Sequence, residues 1–185
     1  MKKVMLYLGM VVVCLGLFAP NVFAQDTGEA GQAVSYDMPA MKILALKGSA
    51  PSLTFVAPAN AGAAIAAVTN DSTWINYTSV VDSTSATNKV TVAISGTVPV
   101  GTTLTVAAAS DAGAGNGTVG SPAGTVTLSS TAQDLITSIG SCYTGDGDGS
   151  GHQLTYTWSA NSDDYADIVA GSGSDITATY TITAE

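Results

Sequence analysis

The sequence predicts an all-β protein, an antiparallel sandwich in which two sheets bury their inner faces against each other. Three observations carry this. From Ile176 to Thr183 the chain alternates strictly, with Ile176, Ala178, Tyr180 and Ile182 against Thr177, Thr179, Thr181 and Thr183. A period of two sends successive side chains to opposite faces of a strand, so one face is apolar and the other a ladder of hydroxyls. The same grammar recurs upstream in short runs at spacings of about ten residues, punctuated by Gly, Pro and Asn, and no helical period outlasts two turns. About seven to nine such strands argue for a sandwich of immunoglobulin-like type, with a closed barrel as the alternative.

The elements follow in order. Lys2 and Lys3 precede an uncharged apolar run from Val4 to Ala19, Pro20 and Asn21 break it, and Val22-Phe23-Ala24 offers the small-residue pattern of a cleavage site. This is the plan of a secretory signal peptide over residues 1–24, cut between Ala24 and Gln25. A retained anchor competes with that reading, but the run is near the lower limit for spanning a bilayer and no basic cluster follows it. Cys14 is then lost with the signal, and no stable membrane insertion is expected afterwards. Residues 25–32 are acidic and aperiodic, a flexible leader, and residues 33–185 form the sandwich domain.

Within that domain Val34, Tyr36 and Met38 alternate against Ser35 and Asp37, a strand pattern closed by Pro39. It reads either as the domain's own first strand or as an arm that completes a neighbour's sheet. Lys42 to Lys47 is a second run, and Leu53 to Val56 a third, stopped by Pro58. Asn60 to Val68 is Ala-rich, one helical turn or an irregular crossover. Thr73–Val81, Val90–Ser95 and Thr103–Ala108 read as an antiparallel meander with Val90, Val92, Ile94, Leu104 and Val106 facing inward. Ser110–Gly124 is a long small-residue loop. Thr125–Ser129, Ala132–Ile139 and Gln153–Trp158 resume the strands, Gly140–His152 is a second Gly-rich loop, and Tyr165–Val169 is a short run before the closing strand.

Charge narrows the function. Of five basic residues, Lys2 and Lys3 leave with the signal, so Lys42, Lys47 and Lys89 face fourteen acids and the formal net charge becomes −11. Nothing remains to neutralise phosphates, which excludes nucleic acid as a partner. One cysteine, Cys142, survives processing, so no internal bridge supports the fold. The expected location is secreted, whether extracellular, cell-surface or periplasmic.

The sharpest candidate for chemistry is Asp146-Gly-Asp148-Gly-Ser150-Gly-His152. Alternate oxygen ligands on a tightly curved backbone resemble the start of a calcium loop, with Asp146, Asp148 and Ser150 as ligands and calcium as the one cofactor suggested. The twelfth position is Thr157 rather than Glu, and a solvated hairpin loop explains the same residues. Asp163, Asp164 and Asp167 would supply further charge if the two loops met. No catalytic residue is expected: Cys142 lies ten residues from the only histidine, His152, beside an acidic loop that disfavours a thiolate, and reads as a small buried hydrophobe. One His and one Cys are too few for zinc. Trp74, Tyr77, Tyr143, Tyr156 and Trp158 read either as a sugar-binding face or as core aromatics, with Trp158 the central plug. Asn70, Asn76 and Asn116 stand in N-glycosylation patterns.

As a set, Ser52-Leu-Thr-Phe-Val-Ala-Pro58, Ser72-Thr-Trp-Ile-Asn-Tyr-Thr78, Val98-Pro-Val-Gly-Thr-Thr-Leu-Thr105, Ile139-Gly-Ser-Cys-Tyr-Thr-Gly145 and Leu154-Thr-Tyr-Thr157 resemble uncharacterised secreted proteins of the Bacteroidetes type and, more loosely, fimbrial sandwich subunits. Asp71-Ser-Thr73 and Asp82-Ser-Thr84 are similar to the acceptor motif of bacterial protein O-glycosylation. The resemblance implies a cell-surface β-sandwich and carries no active-site residue. The expectation is a structural or adhesive protein that self-associates, with Val34, Tyr36 and Met38 as the assembly strand. The alternative is a glycan- or calcium-dependent binding module.

Overall fold

The structure, a computed structural model, describes residues 31–171 and 176–185. The expected signal peptide, most of the leader and Asp175 lie outside the described residues. The chain divides into two units, one ending at Asp37 and one running from Met38 to Glu185. The second holds nine strands: β1 (Met41–Gly48), β2 (Val68–Val80), β3 (Asn88–Ser95), β4 (Thr102–Ala108), β5 (Asn116–Pro122), β6 (Thr125–Thr127), β7 (Gln133–Tyr143), β8 (His152–Ala160) and β9 (Thr177–Ala184). No described residue lies in an α-helix, and a single 3-10 turn covers Tyr165–Asp167.

All pairings are antiparallel. One layer runs β1-β2-β8-β4-β6 and the other β5-β7-β3-β9. A short pairing of Thr78 with Tyr143 and Ser79 with Cys142 joins them into one folded sheet. The inner faces meet in a single core, with Ile75, Val106 and Leu154 from the first layer against Val90, Val92, Leu135, Ile136 and Ile139 from the second. β3 shows why these residues take this form: its burial alternates residue by residue from Asn88 to Ile94, apolar at Val90, Val92 and Ile94. β9 behaves as its sequence requires, with Ala178, Tyr180 and Ile182 packed on the core and Thr177, Thr179 and Thr181 in solvent. The all-β antiparallel sandwich expected from the sequence is the fold adopted.

Strand order is where the chain departs from simple expectation. β2 pairs with β8, β3 with β7 and β4 with β6, three nested pairs around β5. The chain is folded double and the doubled ribbon is rolled across both layers, the winding of a jelly roll rather than the A-B-E-D and C-F-G order of immunoglobulin domains. The three runs read as a meander (now β2, β3 and β4) therefore make no pair with one another. Each finds a partner from the C-terminal half, because burying two-faced strands in two layers needs non-local neighbours.

Other differences are local. Val34, Tyr36 and Met38 belong to no strand and are 79%, 94% and 74% exposed. Pro39, which has no N–H to give a ladder, separates them from β1. Residues Leu53 to Val56 are irregular rather than a strand. The first long loop contains β5, whose glycines hid it. At Gly117 φ is +92° and a side chain would run into the Ser141 carbonyl, so only glycine lets β5 lie against β7. β7 continues four residues past Ile139 into the second Gly-rich stretch, and a bulge puts Leu135 and Ile136, adjacent in sequence, both inside.

Candidate functional site

The Gly-Asp loop joins β7 to β8 and is held from the neighbouring strand. The Asn76 side chain, projecting from β2, donates to the Ser150 carbonyl (2.5 Å) and accepts from the Gly147 N–H (3.1 Å). Asp146 forms an ion pair with Lys47 of β1 at 2.7 Å, and the lysine's hydrogen bond and charge hold its carboxyl below the usual range. Asp148 is exposed, and the Ser150 hydroxyl donates to the Asp146 carbonyl at 3.4 Å. The three oxygens proposed for calcium thus have other engagements or face water. Among the described residues no group of three or more His, Cys, Asp or Glu side chains is placed to hold a metal ion. Asn76, a polar residue inside an aromatic and β-branched strand, is the sequence signal for this loop anchor.

His152 does not sit on that loop's surface. It begins β8 and is fully buried. Its Nδ1 lies 2.8 Å from the Ala109 carbonyl, which can only accept, so Nδ1 carries the hydrogen. Its Nε2 lies 2.8 Å from the Tyr77 hydroxyl, which also contacts the Val119 carbonyl. The two rings stack with centroids 5.7 Å apart. Burial drives the Tyr77 hydroxyl well above the ordinary tyrosine range, reinforced by Cys142 and Asp111. Cys142 is buried on β7 and its thiol is likewise pushed up, by burial first and Asp111 second. A thiol held protonated is a poor nucleophile, and Cys142 packs as the small hydrophobe its sequence suggests.

The aromatic residues part company. Tyr77 and Tyr156 are core, Tyr143 is 53% exposed on the outer face, and Trp74 is half-buried. Trp158 is not a central plug. It stacks on Phe55 at 3.9 Å between centroids and lines a cavity of about 720 Å³. The cavity opens where the layers part, at the Gly48 end of β1 and the Thr177 end of β9, away from the Ser79–Asn88 contact that ties the other end. Its walls are Leu46, Ile94, Val98, Leu104, Leu128 and Ile176, with Tyr156 also lining it and the irregular Ser49–Leu53 segment across it. Sequence reading missed it because Phe55 was assigned to a strand and Trp158 to the middle of the core.

One outer hollow and two sheet edges complete the described surface. On the outer face Ile43, Ala45, Thr78 and Tyr143 border a hollow of about 390 Å³ with Asp146 at its rim. β1 and β9, eight residues each, have one strand neighbour apiece among the described residues. Of the glycosylation patterns, Asn76 is buried and Thr73 donates inward to the Ser49 carbonyl (2.9 Å). Thr84 is exposed and folds back on Asp82 at 2.6 Å. Among the described residues no helix is long and apolar enough to cross a membrane. The chain matches no family model, no curated protein and no solved structure, so no relative lends it a function.

Proposed function

We propose that this is an exported structural or adhesive protein of the cell surface that joins copies of itself by adding the segment Val34–Met38 as a strand to an open sheet edge. The observation that carries the reading is the exposure of Val34, Tyr36 and Met38, at 79%, 94% and 74%, in a segment assigned to no strand. Three large apolar side chains at alternate positions in water are an unsatisfied strand face, and burying each on a partner would contribute about 1.5–3 kcal/mol before the costs of association. Among the described residues the outer edges of β1 and β9 have no strand partner, and such a strand can use them.

Sedimentation velocity across a wide concentration range tests this. The parent chain is expected to associate, and replacing Val34, Tyr36 and Met38 with threonine is expected to leave it monomeric with an unchanged circular dichroism spectrum. A triple variant that associates like the parent overturns the reading. A second reading, contact with glycans, has the outer hollow in its favour: Ile43 and Tyr143 offer apolar faces to a sugar ring, with Asp146 and Thr78 at hydrogen-bonding reach of its hydroxyls. Loss of glycan-array binding in Tyr143→Ala is the result it requires.

A further inference from the structure

We infer that the cavity between the parted layers binds a neutral, mainly apolar small molecule that carries a hydrogen-bond acceptor. Its volume of about 720 Å³ falls within the range of small-molecule sites, and its lining is predominantly aliphatic and aromatic. The core around Ile75, Leu135, Ile136 and Leu154 is fully buried, so the space is not a sign of a loose fold.

The lining selects against charge. Lys47 is the only charged residue bordering the cavity among the described residues, and its ammonium is turned to the exposed Asp146. An ionised ligand would lose its hydration with no partner inside. One polar group is in surplus. The hydroxyls of Tyr156 and Tyr180 meet at 2.5 Å, and no other hydrogen bond of either is present among the described residues. Two hydroxyls carry two hydrogens and their contact uses one, so one O–H is left to donate. Burial keeps both phenols protonated, Tyr180 far above its ordinary range, so the surplus donor persists at any ordinary pH. Tyr156 lines the cavity and Tyr180 does not, so the surplus hydrogen is offered to a ligand when Tyr180 donates to Tyr156 and the Tyr156 O–H stays free. A carbonyl, ether or hydroxyl oxygen on the ligand would accept that hydrogen while the rest of the molecule lies against Trp158, Leu104 and Ile94.

The probe for the test is 6-propionyl-2-dimethylaminonaphthalene, a neutral ring system with one carbonyl whose emission shifts to the blue in dry surroundings. Titrated into the protein, it is expected to bind saturably at one site with blue-shifted emission and quenching of tryptophan. Tyr156→Phe, which leaves the apolar walls intact, is expected to weaken binding about 3- to 10-fold, the range for one neutral hydrogen bond. Ala50→Phe and Leu46→Trp fill the cavity from its exposed rim and are expected to weaken it more than tenfold, with melting temperatures close to the parent's. Absence of saturable binding overturns the proposal, as does binding that ignores both filling variants. A synthetic peptide of residues 31–40 that displaces the probe also overturns it, by giving the cavity to the segment that carries Val34, Tyr36 and Met38.

Discussion

Tyr77→Phe isolates the buried polar chain, and its cost can be worked from the geometry. The substitution removes one oxygen and keeps the ring, so packing against His152 is retained. A single O–H can donate to only one of its two acceptor neighbours, the wholly buried Nε2 of His152 at 2.8 Å or the Val119 carbonyl, so the substitution breaks one hydrogen bond. A buried polar group left unpaired costs about 1–3 kcal/mol, against about 0.5–1.5 kcal/mol for an ordinary hydrogen bond. The expected loss is therefore about 1–3 kcal/mol. For a domain of this length that lowers the melting temperature by about 2–12 °C. Urea unfolding followed by circular dichroism gives the free energy directly, provided the slope against urea is unchanged. Tyr143→Phe, on an exposed ring, is the control and should stay within about 0.5 kcal/mol. A Tyr77→Phe loss no larger than that control would refute the reasoning, since it would mean that water reaches the His152 pair.

Three more expectations follow. Tyr77 and Tyr180 are held protonated far above the ordinary tyrosine value of 10.0, so the unfolded chain sheds protons first as pH rises. Their stabilisation is complete below pH 10 and declines above it by up to about 3 kcal/mol per pH unit for the pair, and Tyr180→Phe should flatten that decline in urea titrations at alkaline pH. Gly117→Ala sets a side chain against the Ser141 carbonyl at a positive φ, so β5 should lift from β7, which amide hydrogen exchange would register as lost protection in residues 116–122 with the β3–β9 pairing intact. Calcium is expected to leave the melting temperature unchanged, because Asp146 is occupied by Lys47 and Ser150 by the loop's own carbonyl. A rise that Asp146→Asn abolishes would reveal a site built by rearranging the loop.

The sequence carried the fold class because alternation reports which face of a strand is wet, and β3 and β9 keep that alternation almost residue by residue. Pairing was illegible. Nothing in Val90, Val92 and Ile94 names β7 and β9 as neighbours rather than β2 and β4, since every inner face is written in the same few aliphatic residues. β5 was invisible for the opposite reason: its glycines, read as loop, are what close approach to β7 demands. At the candidate sites the alternation of Val34, Tyr36 and Met38 was legible but not that the segment stands outside every strand, and the partners of Asp146 and His152 (Lys47, Tyr77 and Ala109) lie about forty to a hundred residues away in sequence, beyond any local pattern. The cavity depended on where Phe55 and Trp158 meet across the chain.

The nested pairing has a temporal consequence. A ribosome delivers β2, β3 and β4 before any of β6, β7 and β8 exists, and apart from the β1–β2 hairpin the early strands then have nothing to bond with. Register must be acquired from the inside outward, Val106 finding Val126 before Thr91 finds Asp134 and Thr73 finds Leu154, each step closing a longer span of chain. A polypeptide wound this way closes its two layers only after β6, β7 and β8 have been made.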